Sequence, residues 1–245
     1  RLSSGNRIVN SGDDAAGLAI SQNLQAEIRG LRQAQRNAGD GVSFVQTAEG
    51  ALNEVSNILI RLRELGVQAA SDTVGDQERG LIQKEFSVLR EEVDRISAVT
   101  KYGGRNLLDG SAGELSFQVG SKAGEENTIS FSADEANASA SQLGISGADV
   151  SSIDGARGSL ADIDGAIDSV NSYRSSLGAL QNRLQSASSN LSVQVENLSE
   201  ARSRIADTDI AEESSNLAKS NILQAAGVAV LAQANSSGNN AIKLL

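Results

Sequence analysis

The chain has 245 residues, with 21 basic and 31 acidic side chains and a net charge of −10. It has no Cys, His, Pro, Met or Trp, which excludes disulfides, thiolate or imidazole zinc sites, Cys or His nucleophiles and any Ser-His-Asp relay. The charge argues against sequence-independent binding to nucleic acid or to an anionic membrane, because clustered Lys and Arg drive such binding.

Apolar residues at a 3-4 spacing predict a long first helix that ends near Ala70. Residues 10–14 supply a capping side chain and two acids where a helix start favours them. Of eleven successive positions on this spacing from Leu24 to Leu59, eight are apolar. Such a narrow seam indicates a helix that packs on partner helices.

A second amphipathic helix is predicted from about Glu78 to Thr100, and Gly103-Gly104 follow its end. Its apolar face is expected to comprise Leu81, Phe86, Leu89, Val93 and Ile96. The alternating segments 114–119 and 127–131 then predict a small β-hairpin.

Residues 133–158 are rich in Ala, Ser, Gly and Asp and are expected to form a loop with little packing of its own. The span 105–156 has two basic and eight acidic residues, a net charge of 2 − 8 = −6. We therefore expect this stretch to be solvated surface.

A second long helix is predicted from about Ser159 to Ile205, long enough to lie antiparallel along the first. After the capping signal Asp207-Thr208-Asp209, a last helix follows. Its apolar residues surround it on nearly all sides, which in a monomer would leave hydrophobic area in water. We expect partners to cover it; the alternative is an ordinary buried core helix. The residues concerned are Leu217, Ile222, Leu223, Val228, Val230 and Leu231.

Together these elements predict a mainly α fold: an elongated antiparallel helical coiled-coil bundle with a small β-hairpin and a separate C-terminal apolar helix. The few aromatic residues favour this over a compact core. Four regions are predicted: 1–105 and 159–207 as the two parts of a helical rod, 106–158 as the hairpin with its acidic loop, and 208–245 as the C-terminal helix.

Three blocks of sequence have a distinctive pattern: segments 1–5 and 13–20, segments 47–54 and 61–65, and segments 177–183, 197–205, 222–227 and 231–235. These blocks resemble bacterial flagellin, and the resemblance covers most of residues 1–105 and 159–245. It implies a structural filament subunit with almost no variable outer domain, which lacks the N-terminal helix that precedes the position of Arg1 in the family.

The resemblance also implies function and partners. The chain would be secreted by type III export and polymerise with its own copies into the filament used for swimming, whether external, sheathed or periplasmic. Filament cap and junction proteins, and an export chaperone that wraps about Ile210 to Leu245, would be its other partners. The chaperone would bury Leu217, Ile222, Leu223, Val228 and Leu231. No cofactor, nucleic-acid binding or membrane insertion is expected.

By the same resemblance, the flagellin-sensing Toll-like receptor would contact Arg61, Leu65 and Glu85. A spacing of four residues places Arg61 and Leu65 on one helical face, as a cation beside an apolar anchor. The alternative is that Arg61 and Glu85 serve subunit packing.

No active site is predicted. The paired carboxylates are explained by a helix start, a solvated helix face and a hairpin loop; they are Asp13-Asp14, Glu91-Glu92 and Glu125-Glu126. Two rival interpretations remain, a hook-filament junction protein and a coiled-coil scaffold. The match at both ends of the chain favours flagellin over both.

Overall fold

The computed structural model describes the backbone of residues 2–242, and their side chains except those of 134, 135 and 235–242. The fold is mainly α, as predicted. Four helices account for most of the chain: α1 (Ala15–Ala69), α2 (Asp76–Val99), α3 (Ile153–Ala206) and α4 (Ile210–Ile242). Between α2 and α3 lie β1 (Lys101–Tyr102), β2 (Arg105–Asn106), β3 (Glu114–Gln118) and β4 (Thr128–Ser132).

The predicted helix ends agree with the structure to within one or two residues at most places, but α3 begins six residues earlier than expected. Its start is capped by Ser152, whose hydroxyl accepts a hydrogen bond from the Gly155 amide at 3.1 Å. The sequence there resembles a loop because Gly155 and Gly158, near the start of α3, are poor helix formers. For α1 the capping side chain is Asp14, which accepts from the Gly17 amide at 2.8 Å.

The chain divides into two compact units. One comprises residues 30–194 and the other combines residues 1–29 with 195–245. Both α1 and α3 contribute residues to each unit.

Within the 30–194 unit, α1 and α3 run antiparallel. Arg63 Nε donates to Asp164 Oδ1 at 2.6 Å, and a Cβ added to Gly66 would lie 3.1 Å from Leu160. Farther along, a Cβ on Gly41 would lie 2.9 Å from Leu184. Residue numbers therefore decrease along α1 in the direction in which they increase along α3. Apolar residues of both helices fill the core between them. Its fully buried members include Leu52, Leu59, Leu62, Ile163, Val170 and Leu184.

The helix α2 contributes Phe86 and Val93 to this core, both fully buried. The prediction for Leu81 was wrong: Leu81 is 66% exposed, and Ile82 occupies the buried position instead. Ile82, Phe86 and Val93 follow the same 3-4 spacing, so the expected stripe exists but is displaced by one residue at its start.

A buried cation joins α1 to α2. Arg79 is 4% exposed, and its guanidinium donates to the carbonyl oxygens of Ala69 at 2.9 Å and Ser71 at 3.0 Å. A third bond, of 2.8 Å, reaches Asp76 Oδ1. Arg79 therefore satisfies carbonyls left over where α1 ends, a place where a cation is favourable.

The predicted hairpin is present, with β3 and β4 antiparallel in the register Leu115 to Phe131 and Phe117 to Ile129. It lies against α1. Asn37 Nδ2 donates to the Gln118 carbonyl at 3.0 Å, and Phe117 stacks edge-on to Phe44 with ring centroids 5.8 Å apart. The β1–β2 turn is a second, smaller hairpin that the sequence analysis did not predict.

Residues 133–152 pack closely, contrary to the expectation of a loop with little packing. Polar side chains of α2 bind their backbone: Gln83 accepts from the Val150 amide at 2.8 Å, and Asp94 accepts from the Ala140 amide at 2.7 Å. The alanines of this segment are buried because their small side chains fit where two backbones approach closely. The segment's buried residues are Ala133, Ala136, Ala138, Ala140, Leu143, Ile145, Ala148 and Val150.

Candidate functional site

The first candidate site is the exposed surface of α4. Every residue from 214 to 234 is exposed, although many are apolar. All six residues singled out from the sequence are more than half exposed: Leu217 51%, Ile222 68%, Leu223 62%, Val228 63%, Val230 67% and Leu231 65%. A run of apolar side chains of this extent in water marks a surface that binds a partner.

Charge is nearly absent from this surface. Between positions 210 and 234 the charged residues are Glu212, Glu213 and Lys219, all before position 220. Residues 220–234 have none, so association there requires no charged group to be desolvated. In the part of the chain that the structure describes, no helix is long and apolar enough to cross a membrane.

The start of α4 is fixed by its own cap. Asp209 Oδ1 accepts from the amides of Ala211 at 2.9 Å and Glu212 at 3.2 Å. Two acids in the first turn, Glu212 and Glu213, interact favourably with the helix dipole. The helix thus has strong local start signals but few of the tertiary contacts that usually stabilise a helix.

The second candidate site is the face around Arg61. Its Nη2 donates to Glu85 Oε1 on α2 at 2.8 Å, and its Nη1 donates to Glu64 Oε2 at 2.9 Å. The hydrogen bonds to Glu85 and then to Glu64 raise the pKa of Arg61 above its ordinary value. Both Arg61 and Glu85 have side chains that are 49% exposed, so this ion pair can be reached by a partner.

Leu65 does not share this exposed face. It is 1% exposed and belongs to the core between α1 and its neighbouring helices. The spacing of four residues predicted that Arg61 and Leu65 share one helical face, but in the structure Leu65 faces the core while the side chain of Arg61 is half exposed. Ile60, next to Arg61, is 49% exposed and supplies the apolar surface there.

The paired carboxylates have structural roles where their bonds are described. Asp13 accepts from the amides of Val9 and Asn10, and Asp14 caps α1. On α2, Glu92 accepts a hydrogen bond from Arg95, which lowers the pKa of Glu92. Among the residues that the structure describes, no three acidic side chains lie close enough together to hold a metal ion.

Comparison with known protein families gives two matches. Residues 1–113 match the family described as "Bacterial flagellin N-terminal helical region". Residues 160–245 match "Bacterial flagellin C-terminal helical region". The segment between the matches, residues 114–159, includes the β3–β4 hairpin and all of residues 133–152.

Relatives are similar over the whole chain. The flagellin of Halalkalibacterium halodurans is 43% identical over 245 residues, covering 100% of this chain and 89% of the relative. The flagellin of Bacillus subtilis is 43% identical over 279 residues, covering 100% and 90%. The "Flagellar filament core protein flaB2" of Brachyspira hyodysenteriae is 41% identical over 259 residues, again covering 100% and 90%.

Solved structures have the same fold. The crystal structure of Bacillus cereus flagellin has a TM-score of 0.57 at 28% identity, covering 68% of this chain and 94% of that chain. A putative flagellar hook-associated protein from Vibrio parahaemolyticus has a TM-score of 0.65 at 16% identity, covering 80% and 100%. At that identity the second likeness concerns the fold alone.

Proposed function

The chain belongs to the bacterial flagellin family, a family of structural proteins rather than enzymes, and we propose that it self-assembles into the helical filament that bacteria use for swimming. The observation that carries this proposal is the exposed apolar surface of α4. Each Leu, Ile or Val that a neighbouring subunit buries there contributes about 1.5–3 kcal/mol. Several such residues on each subunit can offset the entropy of ordering the helix.

The same surface explains why the assembly would be open-ended. A helix that is apolar on all sides can contact more than one neighbour at a time. Contacts between different surfaces of identical subunits produce a helical filament whenever their rotation does not close a ring.

Before assembly the surface must be kept from aggregating. We propose that an export chaperone covers residues 210–245 during secretion, burying Leu217, Ile222, Leu223, Val228 and Leu231. The exposure of these side chains supports this, because the chaperone before assembly and a neighbouring subunit after it would each supply an apolar environment. Cap and junction proteins at the filament ends would contact the same helix.

We further infer that the Arg61 face is the contact for the flagellin-sensing Toll-like receptor. Its support is the half-exposed pair of Arg61 and Glu85, with the exposed side chain of Ile60 beside it. Leu65, which is buried, would contribute only by packing α1 against the core. Packing between subunits in the filament is the competing use of the same pair.

Electron microscopy of the purified protein, seeded with short filament fragments, tests the filament proposal. Long helical filaments that grow from the seeds are the expected result. Particles of uniform size that never elongate, under conditions where an established flagellin does, would contradict it and favour a hook-filament junction protein.

A further inference from the structure

The C-terminal end of α3 is capped by a residue from the opposite end of the chain. The last carbonyls of a helix have no partner within the helix. The guanidinium of Arg7 donates twice to the Ile205 carbonyl, from Nη2 at 2.7 Å and from Nε at 3.2 Å. The backbone amide of Arg7 donates to the Ala206 carbonyl at 2.7 Å. One residue thus satisfies the two final carbonyls of α3.

One further backbone hydrogen bond joins the same segments, from the Thr208 amide to the Gly5 carbonyl at 3.0 Å. Together with the bond from the Arg7 amide to the Ala206 carbonyl, it forms the antiparallel bridge between Asn6 and Asp207. Residues 207–209 are therefore held in extended backbone against residues 5–7, and the helix cannot continue through them. The next helix, α4, starts only after this interruption.

The loop that presents Arg7 is itself fixed. Asp13 accepts from the amides of Val9 and Asn10, both at 3.0 Å. Ile8 is 7% exposed, and a Cβ on Gly17 would lie 2.7 Å from its Cδ1, so Gly17 makes the room that Ile8 needs. Arg7 consequently has a rigid base from which to reach α3.

We propose that Arg7 is a positioning residue for assembly: it ends α3 and fixes the point at which α4 begins, so that the apolar helix becomes ordered only together with the N-terminal loop. The inference rests on the proposed filament function, since α4 is the surface that would bind neighbouring subunits. It concerns a residue outside that surface, and neither exposed apolar area nor charge on α4 is involved.

The geometry requires arginine rather than any cation. Two nitrogens of the guanidinium fork converge on one carbonyl oxygen, and the positive charge lies at the negative end of the helix dipole. A lysine in this place keeps the charge but offers a single ammonium group on a more flexible chain. Arg7→Lys should therefore retain part of the effect, and Arg7→Ala none.

Seeded elongation measures the effect on assembly. We expect Arg7→Ala to slow elongation about fivefold, the size of one net hydrogen bond, and Arg7→Lys to fall between it and the unsubstituted protein. Arg32→Ala is the matched control, because Arg32 is an exposed arginine of α1 whose side chain makes no hydrogen bond or ion pair among the described residues. It should elongate within twofold of the unsubstituted rate.

A distance measurement separates positioning from simple destabilisation. The chain has no Cys, so Ser192→Cys and Ser215→Cys place two spin labels on either side of the helix break without competing thiols. Doubly labelled subunits are diluted into unlabelled filaments. We expect one narrow distance distribution with Arg7, and with Arg7→Ala a broader one or a shift toward about 35 Å, the span of an unbroken helix of that length.

The outcomes decide between the two proposals. If the unsubstituted protein does not elongate, the filament proposal is wrong and the role of Arg7 is lost with it. If it elongates and Arg7→Ala elongates equally well, only the proposal for Arg7 is overturned. Slow elongation with an unchanged distance distribution also overturns it, because Arg7 would then act by direct contact with a neighbour. Should Arg7→Ala fail to elongate at all, filaments of Arg7→Lys provide the distances.

Discussion

At the scale of single residues, several polar side chains bind the unpaired backbone groups at the ends of helices. Asp14, Ser152 and Asp209 cap the starts of α1, α3 and α4, while Arg79 and Arg7 satisfy carbonyls at the ends of α1 and α3. Long helices leave few backbone groups unpaired, but those at their ends must find partners. These residues therefore help to fix where α1, α3 and α4 begin and where α1 and α3 end.

Arg79 provides a test of this role. Arg79→Met keeps the volume but removes the guanidinium donors from the carbonyls of Ala69 and Ser71, which should cost about 2 kcal/mol. The Ser71 carbonyl then keeps only the 3.3 Å bond from the Val74 amide. The midpoint of thermal unfolding, followed by circular dichroism, should fall by about 4–8 °C. Arg32→Met, on the exposed surface, should change the stability by less than about 0.5 kcal/mol. Equal midpoints for both variants would show that the contacts of Arg79 contribute little.

The pair Arg61 and Glu85 is the residue-scale test of receptor binding. Arg61→Ala with Glu85→Ala should lower activation of the Toll-like receptor by soluble monomer, because a half-exposed ion pair on a binding face is lost. Arg63→Ala with Asp164→Ala removes a second half-exposed ion pair, this one between α1 and α3, and serves as the control. Unchanged activation by the first double variant would assign its pair to packing alone.

At the scale of elements, α4 differs from the other helices in how it is stabilised. The helices α1, α2 and α3 bury one stripe against each other, whereas α4 exposes all of its surface from residue 214 to 234. Since helices in proteins gain most of their stability from tertiary packing, α4 depends on a partner much more than the other three helices do. The element that would perform assembly is therefore the least stable one in the single chain.

Deleting residues 220–245 tests this division of roles. The truncated protein should no longer polymerise on seeds, while its α1–α2–α3 core keeps its helical circular dichroism and its unfolding midpoint. The double variant Leu223→Ser with Leu231→Ser should also weaken polymerisation. Its control, Asn221→Ala with Gln224→Ala, alters exposed polar positions of the same helix and should not. Polymerisation of the truncated chain would contradict the role given to α4.

At the scale of the whole molecule, the net charge of −10 opposes assembly of identical subunits. Added salt screens this repulsion, with a Debye length that falls from about 10 Å at 0.1 M to about 3 Å at 1 M. The apolar contacts of α4 are not weakened by screening. We therefore expect the critical concentration for seeded growth to fall as NaCl rises from 0.05 to 0.5 M, measured by sedimentation of polymer. A critical concentration that rises over this range would indicate that ion pairs dominate the subunit contacts.

The sequence alone determined the properties that depend on local order. The 3-4 spacing predicted α1 to α3, and the alternation predicted the β3–β4 hairpin. Apolar residues on nearly all sides of the last helix predicted the apolar surface that α4 exposes in the single chain. These features follow from the periods of helices and strands, which any stretch of sequence expresses without reference to the rest of the chain.

Only the tertiary structure decided which neighbouring residues face inward and which distant segments meet. Side chains at successive helix positions point in directions about 100° apart. The position of the partner helix therefore decides that Ile82 is buried and Leu81 is exposed. It also decides that Leu65 faces the core while Arg61 does not. The burial of small alanines in residues 133–152 and the contact of Arg7 with Ile205 are likewise long-range. Burial and capping between distant positions depend on where helices cross, which no local pattern encodes.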